Sequence, residues 1–169
     1  MTLMPKALLL IAALGLAACN NPDRFGAGGA GADGAGGFVD TTGLGDPTSI
    51  AYFNQTVGDR VLFAVDQSTL SPEGRTVLQG QAQWLASNPS YAIIIEGHAD
   101  EQGTREYNLA LGARRAAAVQ QFLMAQGVAP DRMKTISYGK ERPIEICSDE
   151  SCYSRNRRAV TVLSMGSGV

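Results

Sequence analysis

The sequence has little histidine, little charge and no long uninterrupted apolar run. Its 169 residues include one histidine, 14 lysines and arginines and 16 aspartates and glutamates, which gives a net charge of −2. Without a basic excess, nothing in the composition indicates nucleic-acid binding. A single histidine also disfavours a histidine-based zinc site and histidine-based catalysis. No apolar run reaches the roughly 20 residues that a membrane-spanning helix needs.

The longest apolar run covers residues 7–18 and follows Lys6. Twelve residues are too few to span a bilayer, but they suit the hydrophobic region of an export signal. The run ends in Leu-Ala-Ala followed by Cys19, a pattern that resembles the bacterial lipobox. That resemblance implies a signal peptide over residues 1–18 and lipidation of Cys19. The alternative is an ordinary signal peptide followed by an incidental cysteine.

The position after Cys19 also carries information about location. In lipobox proteins an aspartate there often retains the protein in the inner membrane, and this chain has Asn20 instead. The resemblance therefore implies a lipid anchor in the outer membrane, with the rest of the chain in the periplasm. Several acyl chains, each contributing about 0.8 kcal/mol per buried CH₂, make such an anchor durable.

A glycine-rich segment separates the N-terminus from the rest of the chain. Nine of the twenty residues in 26–45 are glycine, and many of the others are alanine. Such a composition buries too little apolar surface to offset the entropy of ordering. We predict a flexible linker over residues 19–48, with a mean span of roughly 30 Å. The alternative is a glycine-rich loop that packs on the following domain.

Strand-like and helix-like segments alternate after the linker. Residues 60–65 are rich in β-branched and aromatic side chains, as in a strand. Ser71, Pro72 and Glu73 form a strong helix start, because serine caps, proline suits the first turn and an acid favours the helix N-terminus. We predict strands over residues 60–65, 92–96, 133–138 and 158–163, and helices over residues 71–87 and 104–126.

The order strand, helix, strand, helix, strand, strand limits the fold. Right-handed crossovers place both helices on one face of a small mixed sheet. We therefore predict an α/β (α+β) two-layer sandwich, formed by a single domain over residues 49–169.

Four blocks of sequence in this domain carry a family resemblance. They are GHADEQGT (97–104), EYNLALGARRA (106–116), SYGKERP (137–143) and SRNRRAV (154–160). Together they resemble the OmpA-like peptidoglycan-binding domain over about residues 58–163. The resemblance implies non-covalent binding to the diaminopimelate residue of the peptidoglycan stem peptide, without a cofactor or a metal. With the lipid anchor, it implies a tether between outer membrane and cell wall.

The same resemblance implies partners and a cellular role. Lipid-anchored members of the family act with TolB and other Tol proteins in envelope integrity and cell division. These partners follow from the resemblance alone.

The resemblance also assigns the binding residues. Asp100 would bind the ammonium of diaminopimelate and Arg115 its carboxylate, since a planar guanidinium can bond a carboxylate twice. Backbone amides near Gly103 and Thr104 would add hydrogen bonds at a helix N-terminus. Without the resemblance, Asp100 would be interpreted as a loop cap and Arg115 as a solvated helix residue.

The family also uses the end of the first strand in its binding pocket. Here the chain retains Asp66 but has Val65 where relatives commonly carry an aromatic residue. We include both residues in the predicted pocket. The substitution removes a stacking or packing contact.

Two cysteines remain near the C-terminus. Cys147 and Cys152 are close in sequence, and an exported chain favours a disulfide between them. The bridge would close a short loop and contribute roughly 2 kcal/mol by chain entropy. A metal site is the alternative, but no partner ligands are evident.

We do not expect an enzyme. The alternative is a peptidoglycan hydrolase or amidase, which would need a carboxylate pair or a zinc set. His98 is the only histidine, and no G-x-S-x-G motif is present. We expect His98 to be a hydrogen-bonded residue near the pocket that titrates near pH 6 to 7. A flagellar stator or porin relative is disfavoured by the lipobox.

Overall fold

The structure is a computed structural model that describes Gly43 and residues 45–165. The predicted signal peptide, Cys19 and most of the predicted linker lie outside the described residues. Within the described part, no helix is long and apolar enough to cross a membrane.

Helices and strands follow one another in the predicted order, with two additions. The additions are a helical segment before the first strand and a short helix before the last one. The elements are α1 (Ile50–Tyr52), a π-helical turn (Phe53–Gly58), β1 (Arg60–Leu62), α2 (Pro72–Ser87), β2 (Tyr91–His98), α3 (Arg105–Ala125), a 3₁₀ turn (Pro130–Arg132), β3 (Met133–Gly139), α4 (Glu150–Asn156) and β4 (Arg158–Met165).

The four strands form one mixed sheet in the order β1-β4-β2-β3. β4 runs antiparallel to both β1 and β2, and β2 runs parallel to β3. The last strand therefore inserts between the first two. This arrangement confirms the predicted mixed α/β sheet.

The core lies between one face of the sheet and the two long helices. On β2, Ile93 and Ile95 are fully buried, whereas Ile94 is partly exposed. The buried side packs with Leu85 of α2 and Leu123 of α3 in one cluster. Both long helices thus cover the same face, which confirms the two-layer prediction.

The helix ends confirm the capping signals in the sequence. The Ser71 hydroxyl accepts a hydrogen bond from the Gly74 amide at 3.0 Å, and Thr104 does the same for Tyr107 at 3.2 Å. Gly127 follows α3 with a φ of +94°, a conformation that glycine adopts without strain.

The first strand is shorter than the predicted 60–65. β1 ends at Leu62, and the chain then turns out of the sheet. Phe63 keeps one bond to the sheet, because its amide donates to the Arg157 carbonyl at 2.9 Å. Asp66, a few residues on, has a φ of +56°. This turn presents residues 64–66 at the end of the sheet.

The chain is fastened to the domain just before residue 49. Trp84 Nε1 donates to the Pro47 carbonyl at 2.7 Å, and the Tyr91 hydroxyl donates to the Thr48 carbonyl at 3.1 Å. Residues 47 and 48 therefore contact α2 and the beginning of β2.

Candidate functional site

A pocket of about 310 Å³ lies where the turn after β1, the loop after β2 and the beginning of α3 meet. Its walls combine acidic, amide and apolar side chains. They are Val65, Asp66, Asp100, Gln102, Gly103, Tyr107, Asn108 and Leu111. Four of the predicted binding residues, at positions 65, 66, 100 and 103, line this pocket.

Asp100 is held from two sides. Its Oδ2 accepts a hydrogen bond from Arg157 Nη1 at 3.1 Å, and its Oδ1 accepts one from the Gln102 amide at 3.3 Å. Only 8% of the residue is exposed. The bond from the Gln102 amide is the loop cap that the sequence suggests. The bond from Arg157 is a buried ion pair, which a loop cap does not explain. This pair fixes the carboxylate at the pocket wall.

Arg115 is fully buried, so its interpretation as a solvated helix residue is wrong. Its guanidinium donates to the carbonyls of Ala64, Gln67 and His98 at 3.2, 2.8 and 2.7 Å. These acceptors belong to the turn after β1 and the end of β2. Arg115 thus joins the two segments that carry the pocket carboxylates, although it does not line the pocket itself.

The charge of Arg115 is retained in this environment. Burial lowers its pKa to about 10, while the carboxylates of Asp100 and Asp66 act in the opposite direction. The side chain is therefore protonated at neutral pH. A guanidinium has five N–H donors, and the three carbonyls named above are its hydrogen-bond acceptors among the described residues. Each of the three guanidinium nitrogens therefore has one acceptor, and the side chain has no exposed surface.

Asp66 and Tyr107 also line the pocket and bond each other. The Tyr107 hydroxyl donates a short hydrogen bond to Asp66 Oδ1, and this bond raises the pKa of Tyr107. Tyr107 lies in the first turn of α3. Sequence reasoning missed this residue, because nothing in the local pattern shows that it reaches a turn 41 residues earlier.

Gly103 and Thr104, whose backbone amides are predicted to bond the ligand, directly precede α3. The Thr104 side chain caps α3 by accepting from the Tyr107 amide, and it does not line the pocket. Gly103 does line the pocket, and its φ is +89°. Asn108 supports the same loop, because its Nδ2 donates to the Gln102 carbonyl at 2.6 Å.

Behind the pocket lies a network that the sequence did not reveal. Arg157 contacts Asp100 on one side and forms a short ion pair with Glu150 on the other. Asn156 is fully buried, and its Nδ2 donates to Glu101 Oε1 at 2.9 Å. These residues come from α4 and the residue after it, so a helix that was not predicted supports the loop that carries Asp100.

His98 is buried beside this network and is not a pocket residue. Neither ring nitrogen has a hydrogen-bond partner among the described residues. Burial lowers the pKa of His98 to about 4, with Arg158 and Arg142 acting in the same direction. The expectations of a hydrogen-bonded side chain and of titration near pH 6 to 7 are therefore wrong.

Cys147 and Cys152 form a disulfide, with 5.8 Å between their Cα atoms. Cys152 lies on α4 and is buried, while Cys147 lies in the preceding loop. Neither sulfur is left as a thiolate, which removes the metal alternative for this pair.

Comparisons with known proteins agree with this fold. The model of the OmpA family matches residues 62–157. A protein of Agrobacterium fabrum named peptidoglycan-associated lipoprotein is 52% identical over 165 residues, which cover 98% of this chain and 90% of that protein. The chain belongs to the OmpA family. Its similarity to a peptidoglycan-associated lipoprotein extends over nearly its whole length.

Solved structures show the same fold. The crystal structure of the peptidoglycan-associated lipoprotein from Burkholderia pseudomallei has a TM-score of 0.65 and 38% identity, and the match covers 70% of this chain and all of that one. The C-terminal domain of Helicobacter pylori MotB has a TM-score of 0.60 and 21% identity, over 64% of this chain and 86% of that one. The second match supports the fold alone.

Proposed function

We propose that this chain is a lipoprotein that binds the peptidoglycan stem peptide non-covalently, through the free end of diaminopimelate. The observation that carries the proposal is the pocket itself. Two carboxylates, Asp66 and Asp100, line it, and a protonated guanidinium, Arg115, lies directly behind them. Relatives that match almost the whole chain are named peptidoglycan-associated lipoproteins.

The ligand has charges of both signs on one carbon. Its ammonium would bind to the carboxylates of Asp66 and Asp100, which both line the pocket. Its carboxylate would be attracted by the buried positive charge of Arg115 and would take hydrogen bonds from backbone amides near Gly103 and Thr104. A buried, preorganised arginine loses little freedom on binding, which favours affinity.

We also propose that this binding is not catalytic. The pocket walls hold carboxylates, amides and apolar groups, but no histidine, cysteine or lysine. The two acids are occupied in holding bonds, Asp100 with Arg157 and Asp66 with Tyr107. Such acids are suited to bind an ammonium rather than to transfer a proton.

Lipidation at Cys19 would place the domain in the periplasm on an outer-membrane anchor. The protein would then tether that membrane to the wall. On family resemblance, TolB and other Tol proteins would be its protein partners, with a role in envelope integrity and cell division. The lipobox and the names of the relatives support the anchor.

Sedimentation with purified cell-wall sacculi tests the binding site. We expect the full-length chain in detergent to pellet with sacculi, and Asp100→Asn and Arg115→Lys to remain largely in the supernatant. Asp131→Asn and Arg75→Lys make matched changes at exposed positions outside the pocket, and both should pellet like the unchanged chain. Circular dichroism must show that each variant is folded.

Equal pelleting of all five proteins would reject this site. Release of soluble glycan or peptide fragments from the sacculi would instead support a hydrolase. No pelleting of the unchanged chain would reject peptidoglycan binding.

A further inference from the structure

α4 is too short to be stable by itself. It has seven residues, and isolated helices of fewer than about 12 residues are marginal in water. Two features hold its first turn. The Asp149 side chain accepts hydrogen bonds from the amides of Ser151 and Cys152, and the disulfide fastens Cys152 to Cys147 in the preceding loop.

The other end of α4 contacts the loop that carries the pocket acid. Asn156 donates to Glu101, and its Oδ1 accepts from the amides of Ile144 and Glu145 at 2.9 and 3.2 Å. The residue after the helix, Arg157, donates to Asp100. One short helix therefore joins the segment before Cys147 to the pocket loop.

Arg157 connects the two ends of this arrangement. Its guanidinium bonds Glu150, at the beginning of α4 and two residues from Cys152, and it also bonds Asp100. Arg157 is 4% exposed, and its bond to Asp100 is shielded from water, whereas the Glu150 side chain is 65% exposed. If the first turn of α4 moves, Glu150 moves with it, and Arg157 loses one of its two carboxylate partners.

We infer that the Cys147–Cys152 disulfide positions Asp100 for ligand binding, acting through α4, Glu150 and Arg157. This inference rests on the proposed function, because Asp100 is taken as the acid that binds the ammonium. The two cysteines are positioning residues and do not touch the ligand. Without the bridge, the first turn of α4 frays and the Asp100 carboxylate is no longer held at one place in the pocket.

The test measures affinity for a muramyl tripeptide that ends in diaminopimelate, by calorimetry on the full-length chain in detergent. The double variant Cys147→Ser/Cys152→Ser should bind roughly tenfold more weakly, the scale of losing part of a charged hydrogen bond. Hydrogen exchange of residues 100–103 should be faster in this variant. Ser49→Ala is the matched control, because it removes the cap of α1, which takes no part in the pocket or in the α4 contacts named above.

A second comparison separates positioning from general loss of stability. In an Arg157→Lys background, removal of the disulfide should weaken binding much less than it does in the unchanged chain. Additive losses in this double-mutant cycle would overturn the inference, as would an equal loss of affinity in Ser49→Ala. Unchanged affinity and unchanged exchange at 100–103 without the disulfide would also overturn it. Failure of the unchanged chain to bind would reject the proposed function instead.

Discussion

Gly97 on β2 and Gly112 on α3 pack backbone against backbone. A Cβ atom added at Gly97 would lie 1.9 Å from the Gly112 carbonyl oxygen, and one added at Gly112 would lie 2.4 Å from Ser137 Oγ. This contact brings α3 directly onto the sheet. Gly97 lies three residues before Asp100, and Gly112 lies three residues before Arg115. The distance between the loop that carries Asp100 and the Arg115 guanidinium therefore depends on glycine at both positions.

Gly97→Ala should destabilise the domain. The new methyl group meets backbone rather than a mobile side chain, so we expect a loss at or above the roughly 1–3 kcal/mol typical of overpacked cores. Urea unfolding measures this loss. Gly80→Ala on α2 is the control, because its Cβ would meet only Val57 at an ordinary 3.7 Å. That change should stabilise by about 0.5–1 kcal/mol, and a neutral Gly97→Ala would contradict the packing argument.

Tyr107→Phe should weaken stem-peptide binding with little change in stability. The variant loses the hydroxyl that holds the Asp66 carboxylate in the pocket wall, while the ring remains. We expect a decrease of roughly three- to tenfold in affinity, the scale of one hydrogen bond. Tyr91→Phe removes a hydroxyl bond at the other end of the sheet and should leave affinity unchanged. Equal affinities for the unchanged chain and both variants would show that binding does not depend on the hydrogen bond from Tyr107 to Asp66.

His98 should make the domain acid-sensitive between about pH 6.5 and 4. Its folded-state pKa of about 4 lies below the ordinary 6.5, so in this window the unfolded chain binds more protons. The free energy of unfolding should therefore fall as pH falls through this window, by at most about 3 kcal/mol. Unfolding of His98→Phe, followed at several pH values, should show a flatter dependence. Parallel profiles for the two proteins would assign the acid response to other groups.

Asn156→Ala should be among the most damaging polar substitutions. It leaves the amides of Ile144 and Glu145 without their acceptor and Glu101 Oε1 without its donor, at a buried position. Each orphaned group costs about 1–3 kcal/mol, so a loss of several kcal/mol is expected in thermal or urea unfolding. Ser154→Ala, at a partly exposed position of the same helix where the hydroxyl donates only to the Ser151 carbonyl, should change stability by less than about 0.5 kcal/mol.

The fold could be predicted where the signals are local. Ser71, Pro72 and Glu73 indicate the start of one helix, and apolar runs mark the strands. α4 was missed because seven residues cannot show a helical period and because its stability comes from a disulfide and a buried asparagine. The shortness of β1 was missed for a related reason, since the chain leaves the sheet to meet Arg115.

The site was only partly accessible from sequence. Family motifs indicated Asp100, Asp66 and Arg115, yet they did not show how these are held. Arg115 bonds carbonyls up to 51 residues away, and Arg157 lies 57 residues from Asp100. Such pairings depend on the tertiary fold, and no periodicity in the chain encodes them.

The hydrogen bond that holds Thr48 comes from Tyr91 at the beginning of β2, and the pocket loop follows the end of that strand. The eight residues between them span about 25 Å. If the wall pulls on the pocket while the lipid pulls on residue 47, the tension runs lengthwise along this central strand. The backbone hydrogen bonds from β2 to β3 and β4 are then loaded in shear and resist the tension together. They do not break one after another. A tether with its two attachments at one end of the sheet would lack this resistance.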